Sequence, residues 1–317
     1  MAEIKKILVM TGLILIVILL TTTLASANLV DYLRAKLTGR ATTSNVQINI
    51  SIGNSAPNIT YVKTISNQII TEDGQKPVTF DFIVEDIDGW QNIDASSGRA
   101  NFTYSNASTL ITRNNDSCVS LGSVSTTQLN ISCTINMWYF DASGTWNITA
   151  YATDVSGAQG QNRAASLVLS PTKALLSGPG NLTFSTLNPG DTNTTADNNP
   201  LTLNNTGNVH IPEGNISVNA TDLVGETNAA YALYARNFTI GITQGGTPAK
   251  ECGGVNSTFL LKSVYQNISN ATLPYGNHSA GGGTGQEGLY LCLTLAGSEL
   301  LTQAYSTAGE GAWTIQI

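Results

Sequence analysis

Asparagine amides are the reactive groups that this sequence repeats. Seventeen Asn-X-Ser/Thr triplets begin at Asn49, Asn58, Asn101, Asn106, Asn115, Asn130, Asn147, Asn181, Asn193, Asn204, Asn215, Asn219, Asn237, Asn256, Asn267, Asn270 and Asn277. With 31 Asn and 67 Ser plus Thr in 317 residues, chance placement gives about 6.5 such acceptor sites for N-linked glycans. A glycan must stay in water, so each triplet predicts a surface position in an exported chain. In twelve of them the middle residue is apolar. Successive side chains of a strand point to opposite faces. A triplet such as Asn147-Ile148-Thr149 therefore predicts Asn and Thr facing solvent and Ile facing a core.

The four cysteines, Cys118, Cys133, Cys252 and Cys292, form an even set, which in an exported chain predicts two disulfides. Three pairings are open. Cys118 with Cys133 and Cys252 with Cys292 closes the shortest loops and suits a chain of two domains. Zinc is the competing reading, but no Cys-X-X-Cys spacing exists and only His210 and His278 are available to complete a site. Each histidine lies in a polar, loop-like context and reads as a surface residue.

One constellation suits a hard cation. Glu85, Asp86, Asp88 and Asp94 cluster around a turn, and Ca2+ takes several carboxylate and carbonyl oxygens. The competing reading is a solvated turn that uses Asp and Gly for their backbone preferences. No nucleophile elbow, His-Glu-X-X-His, Walker loop or dinucleotide fingerprint occurs, so the sequence predicts no catalysis.

Composition narrows the class. The formal charge is −7, yet only 11% of residues are charged, against about 25% in ordinary soluble domains. Fourteen Lys and Arg, unclustered, give no electrostatic footprint for nucleic acid. Several of them lie beside residues 7 to 30, a stretch without charge. Read as a signal peptide, that stretch has a basic start at Lys5 and Lys6 and the small triplet Ala25-Ser26-Ala27 for cleavage. Read as an uncleaved anchor, its length at about 1.5 Å per residue crosses roughly 30 Å of hydrocarbon, and the lysines stay cytoplasmic. Both readings export the remainder. The segment 31 to 39 suits a short helix, with Leu33 and Leu37 four apart.

Beyond residue 40 the period is two. Val46, Ile48, Ile50 and Ile52 alternate with polar residues and predict a half-buried strand. Similar runs occur over 78–84, 129–137, 146–152, 216–220, 238–242, 289–295 and 313–317. Turn signals punctuate them, among them Asp73-Gly74, Asp88-Gly89, Ser156-Gly157 and Pro189-Gly190. This is an all-β chain. The expected layout is a hydrophobic helix over 1–40, a linker and candidate donor strand over 41–52, and β-sandwich domains over 53–169 and 178–317. The Gly-rich tract 281–285 reads as an exposed loop.

Residues 78 to 157 carry the acidic turn Glu85-Asp86-Ile87-Asp88-Gly89, the Cys118 and Cys133 spacing, Met137-Trp138-Tyr139-Phe140-Asp141, and a Gly-Thr-Trp-Asn-Ile-Thr-Ala strand from Gly144. This region resembles the immunoglobulin-like modules of archaeal exported cell-surface glycoproteins, without the Trp that an antibody domain places between its cysteines. Leu182-Thr183-Phe184, Asn188-Pro189-Gly190-Asp191 and the stretch from Leu203 to Val209 are similar, more weakly, to camelysin-type fibre proteins. The resemblance implies sandwich folds and extracellular assembly without catalysis.

The expected function is a structural glycoprotein subunit of an extracellular filament or cell-surface coat. Its expected partners are copies of itself, N-linked glycans and, if the helix is uncleaved, a membrane. Residues 41–52 either donate a strand to a neighbour or form the first strand of their own domain. A pilin-like variant runs one core helix over residues 4 to 39. The alternative is an adhesin or carbohydrate-binding protein, with Trp90, Trp138, Tyr139 and Tyr275 as its aromatic platform. The sequon-poor stretches 61–100 and 287–317 are where assembly contacts are expected.

Overall fold

The computed structural model describes residues 6, 8–16, 31, 33, 36, 47–106, 108–243, 252 and 256–317. The Ala25-Ser26-Ala27 triplet, most of residues 17–46 and the stretch 244–251 lie outside the described residues. The chain forms two compact units, Met1–Gly53 and Asn54–Ile317.

In the first unit, residues 8–16 are helical and Leu8, Val9, Leu13, Leu15 and Ile16 are all exposed. No helix among the described residues is long and apolar enough to cross a membrane. The expected half-buried strand ending at Ile52 is corrected here. Val46 lies outside the described residues, and 47–52 belong to no strand, with Ile48, Ile50 and Ile52 exposed. Alternation supplied an apolar face, but a strand forms only where an edge is present to pair with it.

The second unit is mostly β. Its first eight strands are β1 (Asn58–Val62), β2 (Gln75–Glu85), β3 (Arg99–Ser105), β4 (Leu110–Asn115), β5 (Val119–Ser123), β6 (Gln128–Trp138), β7 (Gly144–Thr153) and β8 (Gln159–Leu169). They make two antiparallel four-stranded sheets, in the orders β1-β2-β6-β5 and β4-β3-β7-β8. The pairing of β2 with β6 is continuous from Gln75–Trp138 to Glu85–Gln128. Hence the even positions of β2 (Val78, Phe80, Phe82, Val84) and the odd ones of β6 (Leu129, Ile131, Cys133, Ile135, Met137) share one buried face. Trp146, Ile148, Ala150 and Ala152 of β7 complete the same core with Phe102 of β3. Trp146 satisfies its indole N–H on the carbonyl of Ala142 at 2.9 Å, so a large ring is buried without an orphan donor.

The residues from 175 onward gather round a second core that includes Leu203, Ile216, Phe238, Ile240, Leu260, Ile268, Leu289 and Leu293. Its principal sheet runs Ser257–Phe259, Phe238–Gly241, Gln286–Leu295, Leu201–Asn205, Leu175–Gly178, with Thr192–Thr195 also paired to Gln286–Leu295. Two three-stranded sheets flank it: Tyr265–Asn267, Ser217–Asn219, Thr314–Gln316, and Ala232–Leu233, Leu223–Gly225, Tyr305–Ser306.

The two cores are joined. Asp73 donates its N–H to the carbonyl of Thr206 at 3.2 Å, and Thr172 N–H reaches Asn208 Oδ1 at 2.7 Å. His278 Nε2 lies 2.6 Å from Asp73 Oδ1, and its backbone N–H donates to Tyr139 Oη at 3.1 Å.

Candidate functional site

The sequons form a distributed site, and the sheets decide its geometry. None of the seventeen asparagines is buried: eight are exposed and nine are half-buried. Their apolar centres behave oppositely. Ile59, Phe102, Ile131, Ile148, Ile216, Ala220, Phe238, Ile268 and Ala271 are all buried. Leu182 is half-buried against the second core, Ile50 is exposed, and Ala107 lies outside the described residues. Where the triplet lies in a strand, as at Ile59, Phe102, Ile131 and Ile148, the cause is the two-residue period: anchoring the centre in the core turns the asparagine amide outward. Asn270, with φ 59°, reaches the same outcome from a turn.

Not every amide is equally free. Asn115 donates Nδ2 to Thr134 O at 2.8 Å, Asn237 donates to Leu295 O at 2.9 Å, and Asn270 donates to Asn256 Oδ1 at 2.6 Å. Asn277 turns its Oδ1 toward Ser279 N–H at 3.1 Å, capping a short 3-10 helix. Three buried side-chain oxygens without a hydrogen-bond partner, those of Asn101, Asn130 and Asn219, also belong to sequons.

Both disulfides stand within their own core regions: Cys118 with Cys133 joins the start of β5 to β6 (Cα–Cα 4.6 Å), and Cys252 with Cys292 spans 40 residues (Cα–Cα 5.7 Å). Cys133 points inward, as its place in the β6 alternation requires.

The acidic turn is knitted by hydrogen bonds. Asp86 is buried and accepts from the backbone N–H of Asp88 at 2.9 Å and from Asn92 Nδ2 at 3.1 Å. Asp88 accepts from Ser55 N–H at 3.0 Å, and Glu85 accepts from Gln128 at 3.3 Å. Asp94 accepts the hydroxyl and N–H of Ser96 at 2.7 and 2.9 Å. Those two bonds, the hydroxyl foremost, hold its carboxyl below the ordinary value. Among the described residues no group of three or more His, Cys, Asp or Glu is arranged to hold a metal ion. The structure adds partners that sequence reasoning missed. Asn54 bridges Asp154 Oδ2 at 2.6 Å and Asn92 at 3.0 Å, and buried Asp154 also accepts the N–H groups of Ser156 and Ala158, each at 2.9 Å. The Ser156-Gly157 turn signal marked the place, but not the long-range partner.

The histidines and aromatics also move. His278 is no free surface residue, since it stacks obliquely on Tyr139 and faces Asp73; His210 is exposed. Burial raises the Tyr139 phenol above its ordinary value. The expected platform does not assemble. Tyr139 is buried, Trp90 packs on the first core, and Tyr275 is half-buried. Trp138 is the one exposed, stacked on Phe140 with centroids 5.5 Å apart. Of the expected contact stretches, 61–100 supplies the core strand β2, and 287–317 supplies the centre of the larger sheet. Both stretches also expose apolar residues, Tyr61, Ile69 and Ile87 in the first and Leu295 and Leu301 in the second, and the sequon-free run 118–129 exposes Val119, Leu121 and Val124. The Gly-rich tract 281–285 is exposed except for Gly285, whose added Cβ would stand 2.5 Å from Gly276 O. No family model and no curated protein matches this chain.

Proposed function

We propose that this chain is a structural glycoprotein subunit of an extracellular filament or cell-surface coat, without catalysis. One observation carries the reading: every sequon asparagine is solvent-accessible, while nine of the twelve apolar sequon centres are buried. A fold whose core residues sit inside its glycan acceptors is one in which glycosylation and folding are mutually compatible over the whole surface. The two disulfides are compatible with an oxidising, extracellular setting. The finer reading is of two tandem immunoglobulin-like sandwiches, like those of archaeal exported surface glycoproteins, behind an N-terminal hydrophobic helix.

Electron microscopy of the purified, glycosylated protein, with intact-mass spectrometry on the same sample, tests this. Ordered fibres or sheets built from a subunit carrying several glycans are expected. A protein that stays monomeric at high concentration, or carries no glycan, refutes it. The exposed Trp138, stacked on Phe140, favours the second reading, an adhesin holding a sugar ring against an aromatic face. Saturable binding on a glycan array that is lost in Trp138→Ala would support it.

A further inference from the structure

The most conspicuous unpartnered feature is residues 47–52. Ile48, Ile50 and Ile52 are 77%, 79% and 91% exposed. They alternate with polar residues in a period-2 segment that joins no ladder among the described residues. An amphipathic segment with free backbone N–H and C=O groups is half of a sheet edge. The chain just after it is fixed in place, since Asn54 and Ser55 are bound to Asp154 and Asp88. The edges of its own fold that start beside that anchor, β1 and β8, close on each other. Asn162 Nδ2 donates to Ile59 O at 2.8 Å, and Pro57 O lies against Gly160.

A complementary edge exists in every copy. β5 is the outer strand of its sheet and pairs only with β6 among the described residues. Val119 and Leu121 are 64% and 58% exposed, and the register of β5 on β6 shifts at Leu121, between Ser120 and Gly122. No sequon begins between residues 116 and 129. β4, by contrast, lies between the sequon asparagines Asn106 and Asn115, and Ser257–Phe259 follows Asn256, to which Asn270 is bonded. Asn130, opposite Gly122 on β6, faces the same side of the sheet as Val119 but stands one strand removed from an added strand.

We infer that residues 47–52 of one copy add as a strand to the β5 edge of a second copy. Backbone bonds give the pairing, and the isoleucines lie beside Val119 and Leu121 as cross-strand apolar neighbours. The sequon Asn49, being on the alternate face, keeps its glycan off that stripe. This inference rests on the assembly reading above and specifies the contact.

The test uses the full chain in mild detergent, read by light scattering behind a sizing column. Wild type is expected to form polymers in a concentration-dependent way. The variant Ile48→Ser/Ile50→Ser/Ile52→Ser is expected to be at least tenfold poorer in polymer, with unchanged near-ultraviolet dichroism and melting. A fluorescent peptide of residues 46–53 should bind that variant saturably, and should lose at least tenfold in affinity when Val119→Lys and Leu121→Lys are added. All five altered positions are exposed, so the fold is retained. Polymers that persist in the triple variant, or peptide binding indifferent to the two lysines, overturn the inference and leave the assembly reading standing. A wild type that never polymerises overturns both.

Discussion

Arg113 of β4 reaches across the edge of the first core to Asp141, in the turn that follows β6. Its Nε lies 3.0 and 3.1 Å from the two carboxylate oxygens, and Nη2 lies 2.5 Å from Oδ1. The Asp141 side chain is 0% exposed and that of Arg113 25%. Asp141 Oδ2 also accepts the N–H of Trp138 at 2.8 Å. Removing the guanidinium with Arg113→Met would leave a carboxylate buried beside one N–H donor. Breaking such a pair costs about 3–5 kcal/mol; with the Trp138 bond retained and Arg113 partly wet, the lower end, about 3 kcal/mol, is expected. At a denaturant slope of about 2 kcal/mol/M in urea, the unfolding midpoint falls by about 1.5 M. Asp141→Asn added to Arg113→Met removes the stranded charge and keeps an acceptor for Trp138. The double variant should therefore recover about 2 kcal/mol, appearing as coupling in the cycle. Tryptophan fluorescence, with buried Trp146 as a reporter, follows the transition. A midpoint for Arg113→Met within about 0.5 M of wild type (about 1 kcal/mol), or a double variant no better than the single, refutes the argument.

Two further predictions concern the lead-in to β1. The hydrogen bond from Asn54, aided by the N–H groups of Ser156 and Ala158, holds the Asp154 carboxyl below its ordinary value of 3.8. A depressed folded pKa gives stability that is complete above the unfolded value and lost as pH falls through the folded one. Melting temperature should therefore drop more steeply below about pH 4 in wild type than in Asp154→Asn; parallel acid limbs would count against it. Gly160 lies where a Cβ would stand 2.0 Å from Pro57 O and 2.8 Å from Pro57 C. Backbone atoms cannot yield as a side chain can, so Gly160→Ala should cost about 1–3 kcal/mol by chemical denaturation; an unchanged midpoint would refute that close approach.

Strands written in a strict alternation were legible before any coordinates. Val78 to Val84 and Leu129 to Met137 bury the faces their pattern names, because a period of two leaves a strand only one way to place its apolar set. The same logic placed the sequon asparagines outward and most of their centres inward. Residues 47–52 carry an equally clean pattern and bury nothing. Hydrophobic alternation is a local property, whereas burial requires a partner surface that local sequence does not name.

The sequence by itself determined a mostly β chain whose sequon asparagines stay accessible while most of their apolar centres are buried, because sequon spacing and alternation act residue by residue. Tertiary structure alone decided what depends on distant segments meeting. It bound Asn54 to Asp154, turned the acidic turn inward onto N–H groups, and set His278 against Asp73 across 205 residues of chain. It also left β5 as an outer strand in which no sequon begins, with Val119 and Leu121 exposed. Hydrogen bonds and sheet edges are relations between segments, and the energy that selects them appears only once the cores have brought those segments together.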